Sequence, residues 1–254
     1  MEKVVPSAWR IIALLVSGLV IAPTATAQPP GDYRLWEKLL TRYVRQGLVD
    51  YTGLRADRAL LDRYLAALAA ADLKWLTARN EQLAFWINAY NACVVKGVLD
   101  HYPIRSVKDV KGFFERIRYH IGGESLTLND IEAKGRAVGD WRIHFALVCA
   151  SSSCPSLRAA AYVPERLEAQ LTDQITQFLR DASRGLRLEP SGRVVWVSKM
   201  FQWYAKDFVP WSRLTAASLL PVISTYLDQN TMRDIQQHQP ALKFLEYDWT
   251  LNAQ

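Results

Sequence analysis

One of the chain's four histidines and two of its three cysteines fall within eleven residues, in Arg142-Ile-His144-Phe-Ala-Leu-Val-Cys149-Ala-Ser-Ser-Ser-Cys154-Pro155. These residue types suit thiol chemistry, because a thiolate is a strong nucleophile and an imidazole can take up or supply a proton beside it. The apolar run Arg142–Val148 reads as a buried strand. Strand parity then turns Arg142, His144, Ala146 and Val148 to one face and Ile143, Phe145, Leu147 and Cys149 to the other. His144 is therefore separated from Cys149, whereas Cys154 rides on a small-residue loop that can fold back over either edge. Pro155 favours the first position of a helix, which makes Cys154 an N-cap whose thiol the helix dipole would acidify.

The expectation is a thiol-dependent enzyme for acyl transfer or amide hydrolysis, with Cys154 as nucleophile and His144 as base. Two other readings of the same residues stand beside it. Cys149 and Cys154 can form an exchangeable pair in a thiol–disulfide exchange protein. They can equally form a static disulfide in a non-catalytic module that binds glycan or peptide in an aromatic groove. Neither a CxxC nor an HxxxH pair occurs, so no metal site and no cofactor are expected. His101, His120 and His238 lack comparable surroundings, and Cys93 falls among apolar residues as an inert core thiol.

The elements that must position this segment are mostly helical. Tyr33–Gln46 carries Leu35, Trp36, Leu39, Leu40, Tyr43 and Val44 at helical spacing, with Gly47 as the stop, and Asp57–Leu73 repeats the pattern. A helix capped by Asn80 runs to His101 and is apolar almost all round, which makes it the buried central helix. Glu81, Asn88 and Asn91 share one of its faces and are candidates to orient or line the site. Tyr119–Ile121 and Ser125–Leu128 form a hairpin across Gly122-Gly123, followed by a helix capped by Thr127 or Asn129. A helix over Glu165–Leu179, a second hairpin from Leu186–Leu188 and Val194–Val197, and helical spacing over Met200–Asp207 and Leu214–Leu227 complete the chain. The fold class is α+β: a helix-rich single domain with a small, mostly antiparallel sheet.

Residues 1–27 read as a signal peptide: Lys3 and Arg10, an apolar stretch Ile11–Ala22, then the small-x-small site Ala25-Thr26-Ala27. The apolar stretch is shorter than the roughly 20 residues of a bilayer span, so no stable membrane insertion is expected after cleavage. Removing it takes away Lys3, Arg10 and Glu2 and leaves residues 28–254, 227 residues with a net charge of +5. Basic side chains are dispersed. The densest run, Arg105 to Arg118, is interrupted by Asp109 and Glu115 and reads as a solvated face, which argues against nucleic acid as a partner. A periplasmic or secreted protein acting on an unknown peptide or cell-envelope substrate is the expectation. The abundant tryptophans are read first as packing and second as a stacking groove.

Several stretches together resemble the uncharacterised family called domain of unknown function 547, over about Glu81 to Asn252, as an exported bacterial-type member. They are Ala84-Phe85-Trp86-Ile87-Asn88-Ala89-Tyr90-Asn91, Gly122-Gly123 with Leu128-Asn129-Asp130-Ile131-Glu132, and Arg142 to Cys149 with Ser153-Cys154-Pro155. Ser198-Lys199-Met200-Phe201-Gln202-Trp203-Tyr204 with Asp207-Phe208, and Tyr247-Asp248-Trp249, complete the set. The resemblance implies functional weight for His144, Cys149 and Cys154. It transfers no role to Cys93, and Ala133 stands where members commonly carry a histidine after the Ile-Glu pair. The family has no settled activity. Some eukaryotic relatives join the domain to glutaredoxin-like modules, which leans toward thiol chemistry. Plant relatives carry a coiled coil, which leans toward a scaffold.

Overall fold

The computed structural model describes Met1, Pro30–Val209 and Leu214–Gln254; apart from Met1, the expected signal peptide lies outside these residues. The first helix, α1 (Arg34–Tyr43), buries Trp36, Leu39, Leu40 and Tyr43, a stripe at i, i+3, i+4 and i+7. Gly47 does not stop this helix. Gln46 and Gly47 both take positive φ, at 51° and 83°. They form the two-residue turn of a hairpin between β1 (Val44–Arg45) and β2 (Leu48–Val49). Asp50 then caps α2 (Tyr51–Ala56) by accepting from the Gly53 amide, and α3 (Arg58–Ala69) buries Leu61, Tyr64 and Leu68.

The expected central helix is α4 (Arg79–His101), buried continuously from Leu83 to Val95. Its start is secured by Glu81 rather than by Asn80: the Glu81 carboxylate accepts from the backbone N–H of Thr77 and Ala78, the two residues before the helix. Gly97 lets the next hairpin approach, because a Cβ there would meet the Tyr119 hydroxyl at 2.6 Å and the Phe113 ring at 3.0 Å. That hairpin pairs β3 (Arg118–Ile121) with β4 (Glu124–Thr127). At its turn Gly122 and Gly123, both at positive φ, give their amides to the last carbonyls of α3, at Leu68 and Ala69. Thr127 and Asp130 form the capping box of α5 (Leu128–Ala137).

The segment expected as a strand is a 3-10 turn, Trp141–Phe145, followed by irregular chain. Two side chains decide this. Asp140 accepts from the Arg142 amide and starts the turn. Asn91 on α4 then accepts from the Val148 amide and donates to the Ala146 carbonyl, each at 2.9 Å. The backbone groups that a neighbouring strand would have taken are thus occupied by one amide side chain. The strand parity that separated His144 from Cys149 does not apply.

No helix begins at Pro155 either: Pro155 to Val163 is irregular, so Cys154 is not an N-cap and feels no helix dipole. This chain is held by side chains, from Asn88 to both backbone groups of Tyr162, from Gln170 to Ala161 and Val163, and from Gln174 to Ser156. Both glutamines project from α6 (Leu167–Arg180).

The second half is built on a three-stranded sheet. Antiparallel β5 (Leu186–Leu188) and β6 (Val194–Val197) appear as expected, and β7 (Ala241–Phe244) adds in parallel to β6. The helical run after Met200 is broken at Tyr204 into α7 (Met200–Trp203) and α8 (Ala205–Phe208). Two further helices, α9 (Ala216–Ile223) and α10 (Gln229–His238), precede β7; α10 is additional to the sequence expectation. The fold is helix-rich α+β, and among the described residues its strands form three small sheets in which only the β6–β7 pairing is parallel. One apolar cluster surrounds α4, and a second gathers Ile175, Phe178, Val195, Phe201 and Phe208. The 3-10 turn lies at their seam, with Ile143 in the first and Phe145 in the second. His144 sits between these two anchors.

Candidate functional site

The two cysteines of the motif meet at the floor of a cavity of about 570 Å³, whose lining includes His144, Cys149, Cys154, Glu132, Tyr204 and Tyr247. The loop between them is bent back by Ala150, which adopts φ 60° while almost fully buried. A left-handed conformation costs an alanine roughly 1 kcal/mol, and the C-terminal tail offsets it. Ser152 and Ser153 donate their amides to the carbonyls of Thr250 and Asp248, and Asn252 donates its amide to the Ala150 carbonyl. From the other side the Arg184 guanidinium donates to the Cys154 carbonyl at 2.9 Å and to the Ser156 hydroxyl at 2.8 Å.

This folding brings the Cys149 and Cys154 sulfurs to 2.9 Å as free thiols. Their surroundings differ. Cys154 is buried, and its sulfur accepts from the Cys149 amide and faces the Leu147 carbonyl. Cys149 is partly exposed and has two hydroxyls beside its sulfur, Ser151 Oγ at 3.1 Å and Tyr247 Oη at 3.2 Å.

Two sulfurs this close cannot both carry a charge. Burial opposes the Cys149 thiolate, but hydrogen bonds from Cys154, Ser151 and Tyr247 outweigh it and bring this thiol down to about 7. Cys154 moves the other way: burial raises it, and so do its hydrogen bond to Cys149 and the negative charge there. Burial and the adjacent sulfurs also keep the Tyr247 phenol protonated and able to donate. The acidic thiol is therefore Cys149 and not the Cys154 expected from a helix start. Cys93 is fully buried in the core, and burial pushes its thiol far up.

His144 lies on the same cavity but bonds to neither sulfur. Its Nε2 is 2.7 Å from Asp207 Oδ2, and its ring stacks on Tyr204 with centroids 4.0 Å apart. Burial lowers His144 to about 4 despite the opposing pull of Asp207. The imidazole is thus neutral at pH 7, donates from Nε2 and keeps Nδ1 as an acceptor. Asp207 is in turn held by Arg136, whose Nε and Nη2 reach its two carboxylate oxygens. Burial would raise Asp207, but Arg136 and His144 together hold it below the usual carboxylate range. One turn earlier on α5, burial raises Glu132.

The three polar residues expected on one face of α4 separate in role. Glu81 caps the helix and stands away from the cavity. Asn88 and Asn91 do not line it, yet Asn91 fixes Ala146 and Val148 immediately before Cys149. Asp207, Tyr204, Glu132, Ser151 and Tyr247 received no role from the sequence. Four of these five belong to motifs that carry the family resemblance, which was the available signal.

The cavity mouth is aromatic. Tyr247 packs against Trp203 and Trp249 with centroids 4.7 and 4.8 Å away, and Trp203 is 48% exposed. Lys108, from the solvated basic run, lies 4.1 Å over the Trp249 ring. Other tryptophans, such as Trp36 and Trp86, are core residues. Among the described residues no three histidine, cysteine or acidic side chains are disposed to hold a metal ion, and no helix is long and apolar enough to cross a membrane.

No curated protein and no solved structure matches the chain. Residues 73–179 match the model of one protein family. That span contains Glu132, His144 and both cysteines of the loop, whereas Tyr204, Asp207 and Tyr247 lie beyond it. That family is described as "Protein of unknown function, DUF547", and over this span the chain is similar to it.

Proposed function

We propose that this protein performs thiol–disulfide exchange, with Cys149 as the attacking thiolate and Cys154 as the resolving thiol. The observation that carries this reading is the 2.9 Å separation of two sulfurs in unequal surroundings, one partly exposed to a cavity and one buried. Cys149 attacks one sulfur of a substrate disulfide; that S–S bond breaks, and the departing thiolate takes a proton. Cys154 then gives up its proton and attacks Cys149 Sγ, releasing the second substrate thiol and leaving a Cys149–Cys154 disulfide. The substrate gains two electrons and two protons, and the protein loses them. An exported location, as the leader-like residues 1–27 suggest, gives such a pair an oxidising setting. A peptide or cell-envelope component is the substrate class we favour.

The test combines a non-reducing peptide map with a trapping variant. Reduced protein given 2-hydroxyethyl disulfide should close a Cys149–Cys154 bridge, and Cys154→Ser should stop at a mixed disulfide on Cys149. Absence of both products contradicts the proposal.

His144, which lines the same cavity and is paired with Asp207 behind it, favours one second reading, acyl transfer or amide hydrolysis. Here Cys149, in place of Cys154, attacks the acyl carbon, and the His144 Nδ1 lone pair accepts a proton. It requires His144 to engage a substrate atom, since His144 has no bond to either sulfur. Release of an amine from an acyl-amide probe, lost in both Cys149→Ala and His144→Ala, distinguishes it from exchange.

A further inference from the structure

Cys149 is only partly exposed, and it lines the cavity together with Cys154 and Tyr247. A disulfide needs room for two sulfurs and their substituents beside the Tyr247 hydroxyl, which lies 3.2 Å from the Cys149 sulfur. A terminal O–H group is much smaller. Around the sulfur stand the hydroxyls of Ser151 and Tyr247, themselves 3.1 Å apart, which can receive an incoming oxygen and protonate a leaving one. The lining beyond them includes Phe114, Leu147, Met200, Trp203 and Trp249, which offer contacts to an apolar group, beside the charged Lys108, Glu115 and Glu132.

We propose that the cavity takes a small organic hydroperoxide, which Cys149 reduces to the alcohol and Cys154 resolves. The proposal rests on the exchange reading, for the same thiol pair closes and must be reopened. In the first step the Cys149 thiolate attacks the terminal oxygen of R–O–O–H. An S–O bond forms, the O–O bond breaks, and R–O⁻ leaves with a proton donated by Tyr247, which recovers one from water. The products are R–OH and a sulfenic acid on Cys149. In the second step Cys154 loses its proton and attacks Cys149 Sγ; the S–O bond breaks, and hydroxide leaves as water with that proton. Hydroperoxide is reduced by two electrons, and two thiols become one disulfide. An external dithiol reopens the bridge by the exchange already described. The low thiol pKa of Cys149 supports the first step by keeping a thiolate available near pH 7.

The test uses fully reduced full-length protein with cumene hydroperoxide as probe and hydrogen peroxide for comparison. One cumyl alcohol should form per protein with loss of two mass units. The rate should be roughly a hundredfold above that of free cysteine, the scale of a preorganised donor. Cys154→Ser should carry a dimedone-reactive sulfenic acid on Cys149. Trp203→Ala should narrow the preference for cumene hydroperoxide over hydrogen peroxide about tenfold through lost apolar contact. A rate no faster than free cysteine, with 2-hydroxyethyl disulfide still closing the bridge, overturns the hydroperoxide proposal alone. If neither oxidant closes the bridge, the exchange reading falls with it.

Discussion

The Tyr247 hydroxyl lies 3.2 Å from the Cys149 sulfur although 98 positions separate the two residues in the chain. The C-terminal tail brings it there by pairing with the backbone of the cysteine loop at Ala150, Ser152 and Ser153. The same tail therefore shapes the loop and supplies a donor to its thiolate. Because burial alone would push Cys149 upward, its acidity depends on such donors.

Tyr247→Phe removes one donor and keeps the ring against Trp203 and Trp249. A hydrogen bond to a charged group contributes about 1.5 kcal/mol or more, so the Cys149 pKa should rise by about one unit. Thiolate absorbance at 240 nm against pH measures this. An unchanged titration would show that Tyr247 packs against the thiol without stabilising its charge.

His144 makes the fold sensitive to mild acid. Its folded pKa of about 4 lies below the 6.5 of an unfolded histidine, so the unfolded chain binds the extra proton between these values. Stability is then greatest above 6.5 and falls as pH drops toward 4, by up to about 3 kcal/mol. Asp207, held below the usual carboxylate range, adds its own loss only at still lower pH. Urea unfolding at pH 7.5, 6 and 4.5 should show this slope, and His144→Gln should flatten it. An equal slope in the variant assigns the acid sensitivity elsewhere.

Asn91 is a positioning residue for the approach to Cys149. Asn91→Ala orphans the buried Ala146 carbonyl and Val148 amide together, which should cost about 3 kcal/mol in chemical unfolding. Asn91→Asp should be at least as harmful, because a carboxylate oxygen would face the Ala146 carbonyl. A loss under about 1 kcal/mol for the alanine variant, within the ordinary range for one hydrogen bond, contradicts this role.

The sequence made most of the helices, the β3–β4 and β5–β6 hairpins and the chemical cluster legible, because each depends on local spacing, whereas the β1–β2 hairpin and α10 were not read. The apolar run of α4 marks a buried helix whatever surrounds it, and Gly122-Gly123 marks a turn by backbone freedom alone. The segment Arg142–Val148 misled because alternation reports burial, not the identity of the hydrogen-bonding partner. Asn91, more than fifty positions upstream, took the place of a strand. Pro155 misled in a related way, since side chains from α4 and α6 hold the following loop open. Both readings favoured Cys154 as the nucleophile, and without them the acidity argument turns to Cys149. Asp207 and Tyr247 reach His144 and Cys149 across 63 and 98 positions, and no local pattern encodes such meetings.

The central claim is that Cys149, not Cys154, carries the thiolate. The direct measurement is the pH dependence of iodoacetamide labelling of the reduced protein, read separately at each cysteine by peptide mass spectrometry. Cys149 should label first with a midpoint near 7, and Cys154 should stay unreactive until well above the ordinary thiol range. Faster labelling of Cys154, or a Cys149 midpoint at or above the roughly 8.5 of a free thiol, contradicts the account.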